Sequence, residues 1–135
     1  MQDCIFCKIV AGEIPSHKVY EDDEVLAFLD INPVNPGHTL VIPKEHYKDL
    51  LDTPPELASK LIQAVRDIAP AILKAVGADS FNLGLNNGAT AGQVVFHTHL
   101  HIMPRFPNDG HKLWHGTSAD QEELKKIADD IKKYI

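Results

Sequence analysis

His97, His99 and His101 occupy alternate positions in the run His97-Thr98-His99-Leu100-His101, and side chains two apart on a β-strand share one face. Imidazole titrates near neutral pH and serves as nucleophile, proton carrier or metal ligand. Packing gives no reason to line one strand face with three of them. Two chemistries suit such a face. His-x-His on a strand supplies paired zinc or iron ligands. Alternatively, a central histidine attacks phosphorus while its neighbours orient it and carry protons. Same-face neighbours lie about 6.5–7 Å apart along a strand, so three rings can line a phosphate without sharing a metal. The loop ahead of them, Asn86 to Gln93, favours the second chemistry, because its amides and glycines are neutral donors for phosphoryl oxygens. A plain turn has a similar composition.

Cys4-Ile5-Phe6-Cys7 has the spacing of a zinc half-site, which a redox pair shares. Thioredoxin-like pairs follow a strand and open a long helix, a context missing here. A closed tetrahedral site needs two further ligands; His46, just after the strand end at Ile42-Pro43-Lys44, is the best spare histidine, and His97 could be the fourth. A Cys2His2 set leaves no position for substrate, so this zinc would be structural, tying the N-terminal helix to the sheet. Free buried thiols are the alternative.

The elements that must position these groups follow from patterning. At 135 residues the chain is read as one domain, 1–135, with a sizeable core. Its net charge of −6 argues against coating a nucleic-acid polymer, although a few donors in one pocket suffice for a single phosphate. No apolar run approaches the ~20 residues of a membrane span, and the N-terminus lacks a signal-peptide layout, so a cytoplasmic address with reduced thiols is expected. A short helix over Cys4–Ala11, capped by Asp3, precedes strands at Lys18–Glu21, Val25–Leu29 and His38–Ile42. Thr53-Pro54-Pro55-Glu56 carries a helix-start signature, and Leu57, Leu61, Ala64, Val65, Ile68, Ile72 and Val76 recur at helical spacing. Pro70 is expected to kink or split that helix, and Gly77 to end it. A strand from Ser80 to Leu85 leads to the loop and then the histidine strand, which Val94-Val95-Phe96 should open and Pro104 should stop. After an irregular stretch to Gly116, Ser118 and Gln121 should box the start of an amphipathic helix bearing Leu124, Ile127, Ala128 and Ile131. The fold class is α+β, with an antiparallel sheet, one long helix and shorter helices at the two ends.

The run Gly92-Gln93-Val94-Val95-Phe96-His97-Thr98-His99-Leu100-His101-Ile102-Met103 resembles the signature of the histidine-triad (HIT) nucleotide-binding proteins. Further pieces match in the family's order: Cys4 to Ile9, Ile14-Pro15, Leu26 to Ile31 and Pro36 to Lys44. Together they span nearly the whole chain. The resemblance is closest to the small bacterial members of the branch that includes the Hint-type proteins.

That resemblance implies a HIT-like fold, a homodimer, an AMP-like purine nucleotide ligand, no organic cofactor, and two-step hydrolysis or transfer at an α-phosphate. His99 would be the nucleophile and form a nucleotidyl-histidine. His101 would contact the phosphate and assist proton movement, His97 would anchor the triad, and His38 would support the rings from behind. Asn86 and Gln93 would hold phosphate oxygens, with Val94 beside them. Asp30 would bind ribose hydroxyls, and Ile5, Phe6, Ile9, Phe28, Leu29 and Ile31 would sandwich the base, although core packing accounts for apolar residues equally well. Some bacterial relatives also look the same at Cys4, Cys7, His46 and His97, and bind zinc there. Trp114 would reach toward a neighbouring subunit's site or lie as a simple surface residue; His17, His111 and His115 read as solvated. Many relatives carry Ser or Thr where this chain has Val94. The missing hydroxyl would weaken the phosphate grip by roughly 1.5–3 kcal/mol. Two other readings stay open: a metal-dependent hydrolase or oxygenase with the triad as ligands, and a non-catalytic nucleotide-binding module.

Overall fold

The computed structural model describes residues 3–135. Five antiparallel strands form one sheet in the order β1-β2-β3-β5-β4, with β1 Lys18–Glu21, β2 Val25–Leu29, β3 Thr39–Pro43, β4 Ser80–Leu85 and β5 Leu100–Arg105. The α+β expectation is met: α1 (Ile5–Val10) is short, α2 (Pro55–Val76) is long and α3 (Gln121–Lys132) follows the sheet.

Strands β2 and β3 are buried almost throughout, with only Leu29 exposed, because both faces of the sheet are covered there. On one face Val25, Ala27, Val41, Leu100 and Ile102 pack against Leu61, Ala64, Val65 and Ile72 of α2. On the other, Leu26, Phe28, Leu40 and Ile42 receive Phe6 and Ile9 of α1. Leu40 pairs with His101, and Val41 with Leu100. The strand alternation therefore puts His101 on the α1 face while its neighbours anchor the α2 core.

Several boundaries differ from the sequence expectations. The paired strand begins at Leu100 rather than Val94, and Pro104 lies inside it. Pro43 ends β3 without an amide hydrogen to donate, and its carbonyl instead takes the His97 ring Nε2–H at 2.8 Å. Thr98 is tied to the segment behind: its amide reaches the Tyr47 carbonyl at 2.7 Å, and its hydroxyl meets that of Thr53 at 2.8 Å. Thr53 is thus no helix cap. Its hydroxyl is spent on Thr98 and the Asp49 carbonyl, and Pro54 takes the cap position. Helix α2 runs unbroken through Pro70, which sits on the exposed face where the freed carbonyl can meet water. Cys4 rather than Asp3 caps α1, its sulfur accepting from the Cys7 amide. Asp120 precedes α3, with no side-chain bond from Ser118.

Gly37 makes the turn into β3 at φ +88°, and a Cβ there would lie 3.0 Å from Val76 Cγ1 and 3.2 Å from both Ile72 Cγ2 and Pro104 Cγ. Gly37→Ala should therefore cost about 2–4 kcal/mol from left-handed strain plus overpacking, read as a lower urea midpoint with an unchanged slope.

Candidate active site and metal-ligand cluster

A cleft of about 430 Å³ opens on the α1 face of the sheet. Its walls include Ile5, Phe6, Ile9, Phe28, Leu29 and Ile31, and its polar rim includes Asp30, Asn86, His99 and His101. Every apolar residue expected at the base pocket lines it. Phe6, Ile9 and Phe28 are also core residues, so wall and core are one surface here, while Ile31 is 82% exposed at the mouth. Val94 contributes its methyl groups to the rim at 85% exposure.

Backbone groups settle which ring nitrogens carry protons. His99 Nδ1 lies 2.7 Å from the His97 carbonyl, which can only accept, so Nδ1–H donates and Nε2 keeps its lone pair. Phe6 stands edge-on to this ring at 5.1 Å between centroids. The Val34 amide donates to His38 Nδ1 at 3.0 Å. His38 Nε2 must then carry the proton, which it donates to His101 Nδ1 at 2.9 Å. The same Nε2 is 3.6 Å from the Asp30 carboxylate. His101 is left with its hydrogen on Nε2, a buried atom with no protein partner. A bare nitrogen and a donor-bearing one thus stand side by side, the His99 and His101 rings 4.9 Å apart.

Burial disfavours the charged form of these imidazoles. It is the largest cause of lowered pKa at His38, His99 and His101; at His101 the neighbouring His99 and His38 add to it and bring the value to about 4. The Asp30 carboxylate opposes the shift at all three.

His97 turns out of the cleft. With Nε2–H given to Pro43, its Nδ1 lone pair faces the sulfurs of Cys4 at 3.4 Å and Cys7 at 3.6 Å, while His46 Nδ1 is 3.4 Å from Cys7 Sγ. All four ligand atoms lie within 4.8 Å of one another. Tetrahedral zinc with ordinary bond lengths would separate sulfur from nitrogen by about 3.6 Å, so the cluster fits the ion without rearrangement. Cys7 is pushed up to about 11 by burial, by its hydrogen bond to Cys4 and by the Cys4 charge, a crowding that a divalent cation would reverse. Among the described residues, no group of ligand atoms close enough for one metal contains His97, His99 and His101 together. The triad therefore does not converge on an ion as a catalytic metal site requires.

Two expectations need correction. Gln93 is buried away from the cleft: its oxygen accepts from the Gly88 amide at 2.8 Å, and its nitrogen donates to the Lys48 and Val95 carbonyls. It braces the loop rather than facing a phosphate. Trp114, by contrast, is 99% exposed along a groove beside β4, in keeping with the surface placement that was one of its two expected positions. His111 is engaged, its Nε2 2.9 Å from the Val34 carbonyl. Sequence reasoning passed over Asn35, Arg105 and Asp109, which join this end of the sheet to the His38 loop. The turn-forming Asn108-Asp109-Gly110, whose aspartate lies four residues beyond an arginine, was the available signal.

Comparison with known proteins places these features in context. The HIT domain family model matches residues 11–108. An Arabidopsis thaliana protein named adenylylsulfatase HINT3 is 53% identical over 123 residues, covering 91% of this chain and 61% of that protein. Adenosine 5'-monophosphoramidase hnt1 of Schizosaccharomyces pombe is 40% identical, with 98% of each chain covered. A crystal structure of a HIT family member from Bacillus subtilis superposes with a TM-score of 0.90 at 47% identity, covering 98% of this chain and 97% of that one. A zinc-bound histidine triad protein from Mycobacterium smegmatis gives 0.77 at 43% identity, over 93% and 90% of the two chains.

Proposed function

The chain belongs to the histidine-triad family, and on that premise we propose that it is a nucleotide hydrolase or transferase acting at the α-phosphate of purine nucleoside phosphoramidates or dinucleoside polyphosphates. The observation that carries this reading is the pair of adjacent nitrogens in the cleft, bare at His99 Nε2 and protonated at His101 Nε2. The names of the Arabidopsis and fission-yeast relatives both denote cleavage beside an adenylyl group.

In the proposed reaction His99 Nε2 attacks the α-phosphorus, forming a P–N bond as the bond to the leaving group breaks. His101 Nε2–H binds the phosphate and supplies the proton that the leaving atom needs. His38 holds that ring from behind and Asp30 takes the ribose hydroxyls, with the base between Ile5, Phe6 and Ile9 on one side and Phe28, Leu29 and Ile31 on the other. Asn86 offers its amide to the phosphate. In the second step water attacks phosphorus and gives a proton to His101 Nε2, left bare by the first step, while the P–N bond breaks and the nucleotide leaves. Neutral His99 is nucleophilic at pH 7 because burial disfavours its cation.

Cys4, Cys7, His46 and His97 would hold one zinc ion, as the zinc-bound relative suggests. Four protein ligands leave it no open position, so it would act as a structural tie. We further infer a homodimer, with Trp114 available to reach across it, in a reducing cytoplasmic setting. Among the described residues no helix is long and apolar enough to cross a membrane.

Brief incubation with adenosine phosphoramidate or diadenosine tetraphosphate, followed by intact-protein mass measurement, should reveal an acid-labile adenylyl adduct on His99. Binding of AMP without any adduct or cleavage would instead favour the non-catalytic module, a reading that Val94 supports by removing the hydroxyl donor.

A further inference from the structure

The proton on His101 Nε2 depends on a bond made two residues removed from it. Val34 N–H fixes His38 Nδ1 as an acceptor, and His38 in turn fixes His101. Were that amide to move away, His38 could place its hydrogen on Nδ1, Nε2 would become the acceptor, and His101 would turn into a Nδ1–H donor with a bare Nε2. The cleft would then hold two lone pairs and no donor. Whatever clamps Val34 therefore sets the chemistry of His101.

The clamp is visible in the loop between β2 and β3. Beside Val34, Asn35 Nδ2 donates to the Pro104 carbonyl and to Asp109 Oδ2, both at 2.9 Å. Asp109 is a hub. Its carboxylate also accepts from Arg105 Nε at 2.8 Å and Nη2 at 3.0 Å, and from the Phe106 and His111 amides at 3.1 Å. Its side chain is only 6% exposed, and these bonds hold its pKa far below the usual carboxylate range. Arg105 is fixed in turn by Asn82 Oδ1 and the His111 carbonyl. The turn held in this way returns His111 to the Val34 carbonyl. Val34 is consequently held at both ends, by its own carbonyl and through its neighbour's side chain.

We propose that Asn35, Asp109 and Arg105, with His111, are positioning residues that set the tautomer of His38 and thereby place the proton on His101 Nε2. None of them lines the nucleotide cleft. The inference rests on the proposed function only for its catalytic consequence, because the tautomer itself is observable without turnover.

The test is Asn35→Ala, which removes the tie to Asp109 and Pro104 while leaving the Arg105–Asp109 pair in place. Long-range proton–nitrogen NMR on the zinc-loaded protein should show His38 and His101 as Nε2–H tautomers in the wild type and a mixture in the variant. With adenosine phosphoramidate, kcat should fall about 10- to 100-fold, part of the roughly 10²–10⁴ that a positioned acid supplies. KM and AMP affinity should stay within about threefold. His111→Ala, a truncation at an exposed position, should shift both readouts in the same direction by less, and it serves if N35A does not fold. Unchanged Nε2–H tautomers in the variants would overturn the proposal, as would equal losses in KM and kcat. A wild type that shows the tautomers and cleaves nothing would sink the hydrolase reading and leave the positioning claim to the NMR comparison.

Discussion

His99→Ala is expected to lose turnover of adenosine phosphoramidate by on the order of 10⁴-fold or more, the scale on which removal of a covalent nucleophile acts. The adenylyl adduct should vanish from the mass spectrum. AMP should still bind within a few-fold of wild type, because the apolar walls and Asp30 remain. Metal content should not change, since His99 lies outside the cysteine–histidine cluster. The combination matters more than any one part. Retention of a tenth of the activity would remove His99 from the nucleophile's role, and loss of metal together with activity would revive the metal-hydrolase reading.

Cys7→Ser should abolish zinc binding, because a hydroxyl replaces the sulfur that faces both His46 and His97. A wild type that holds zinc, at free metal about 1,000 times the Kd, would gain roughly 4 kcal/mol of stability from the ion, so the variant should unfold at a correspondingly lower urea concentration. Adding a strong chelator should bring the wild type down to the variant and leave the variant where it was. Identical wild-type midpoints with and without chelator would exclude a structural zinc. Activity should suffer as well, since the His97 carbonyl that orients His99 belongs to a residue whose ring is in the cluster.

Much of this was readable from residue order. Strands β1, β2 and β4 and the end of α2 at Gly77 follow from short apolar or β-favouring runs bounded by turns, from helical spacing and from a glycine able to take φ 73°. The cysteine–histidine quartet was legible from ligand chemistry and spacing. The errors at polar residues share a cause, which is that their side chains have several partners available and local sequence cannot rank them. Thr53 has the composition of a cap, yet a second threonine 45 residues away claims its hydroxyl. Gln93 has the chemistry of a phosphate donor, yet three backbone groups consume it. The proton order of the histidines was unreadable for the same reason, being dictated by the carbonyls of Pro43 and His97 and the amide of Val34. The strand pattern did place His99 and His101 in one cleft, but His97 departs from them because the chain leaves the ladder before Leu100.

The two-sided sheet divides labour by parity. In β2 and β3 the odd-numbered Val25, Ala27 and Val41 build the scaffold against the long helix, and the even-numbered Leu26, Phe28, Leu40 and Ile42 back the chamber that a nucleobase would enter. Substrate preference can accordingly drift through Ile5, Leu29 and Ile31, at the solvent-facing lip, while the buttress beneath stays untouched. Selection can retune what the molecule recognises without renegotiating how it folds.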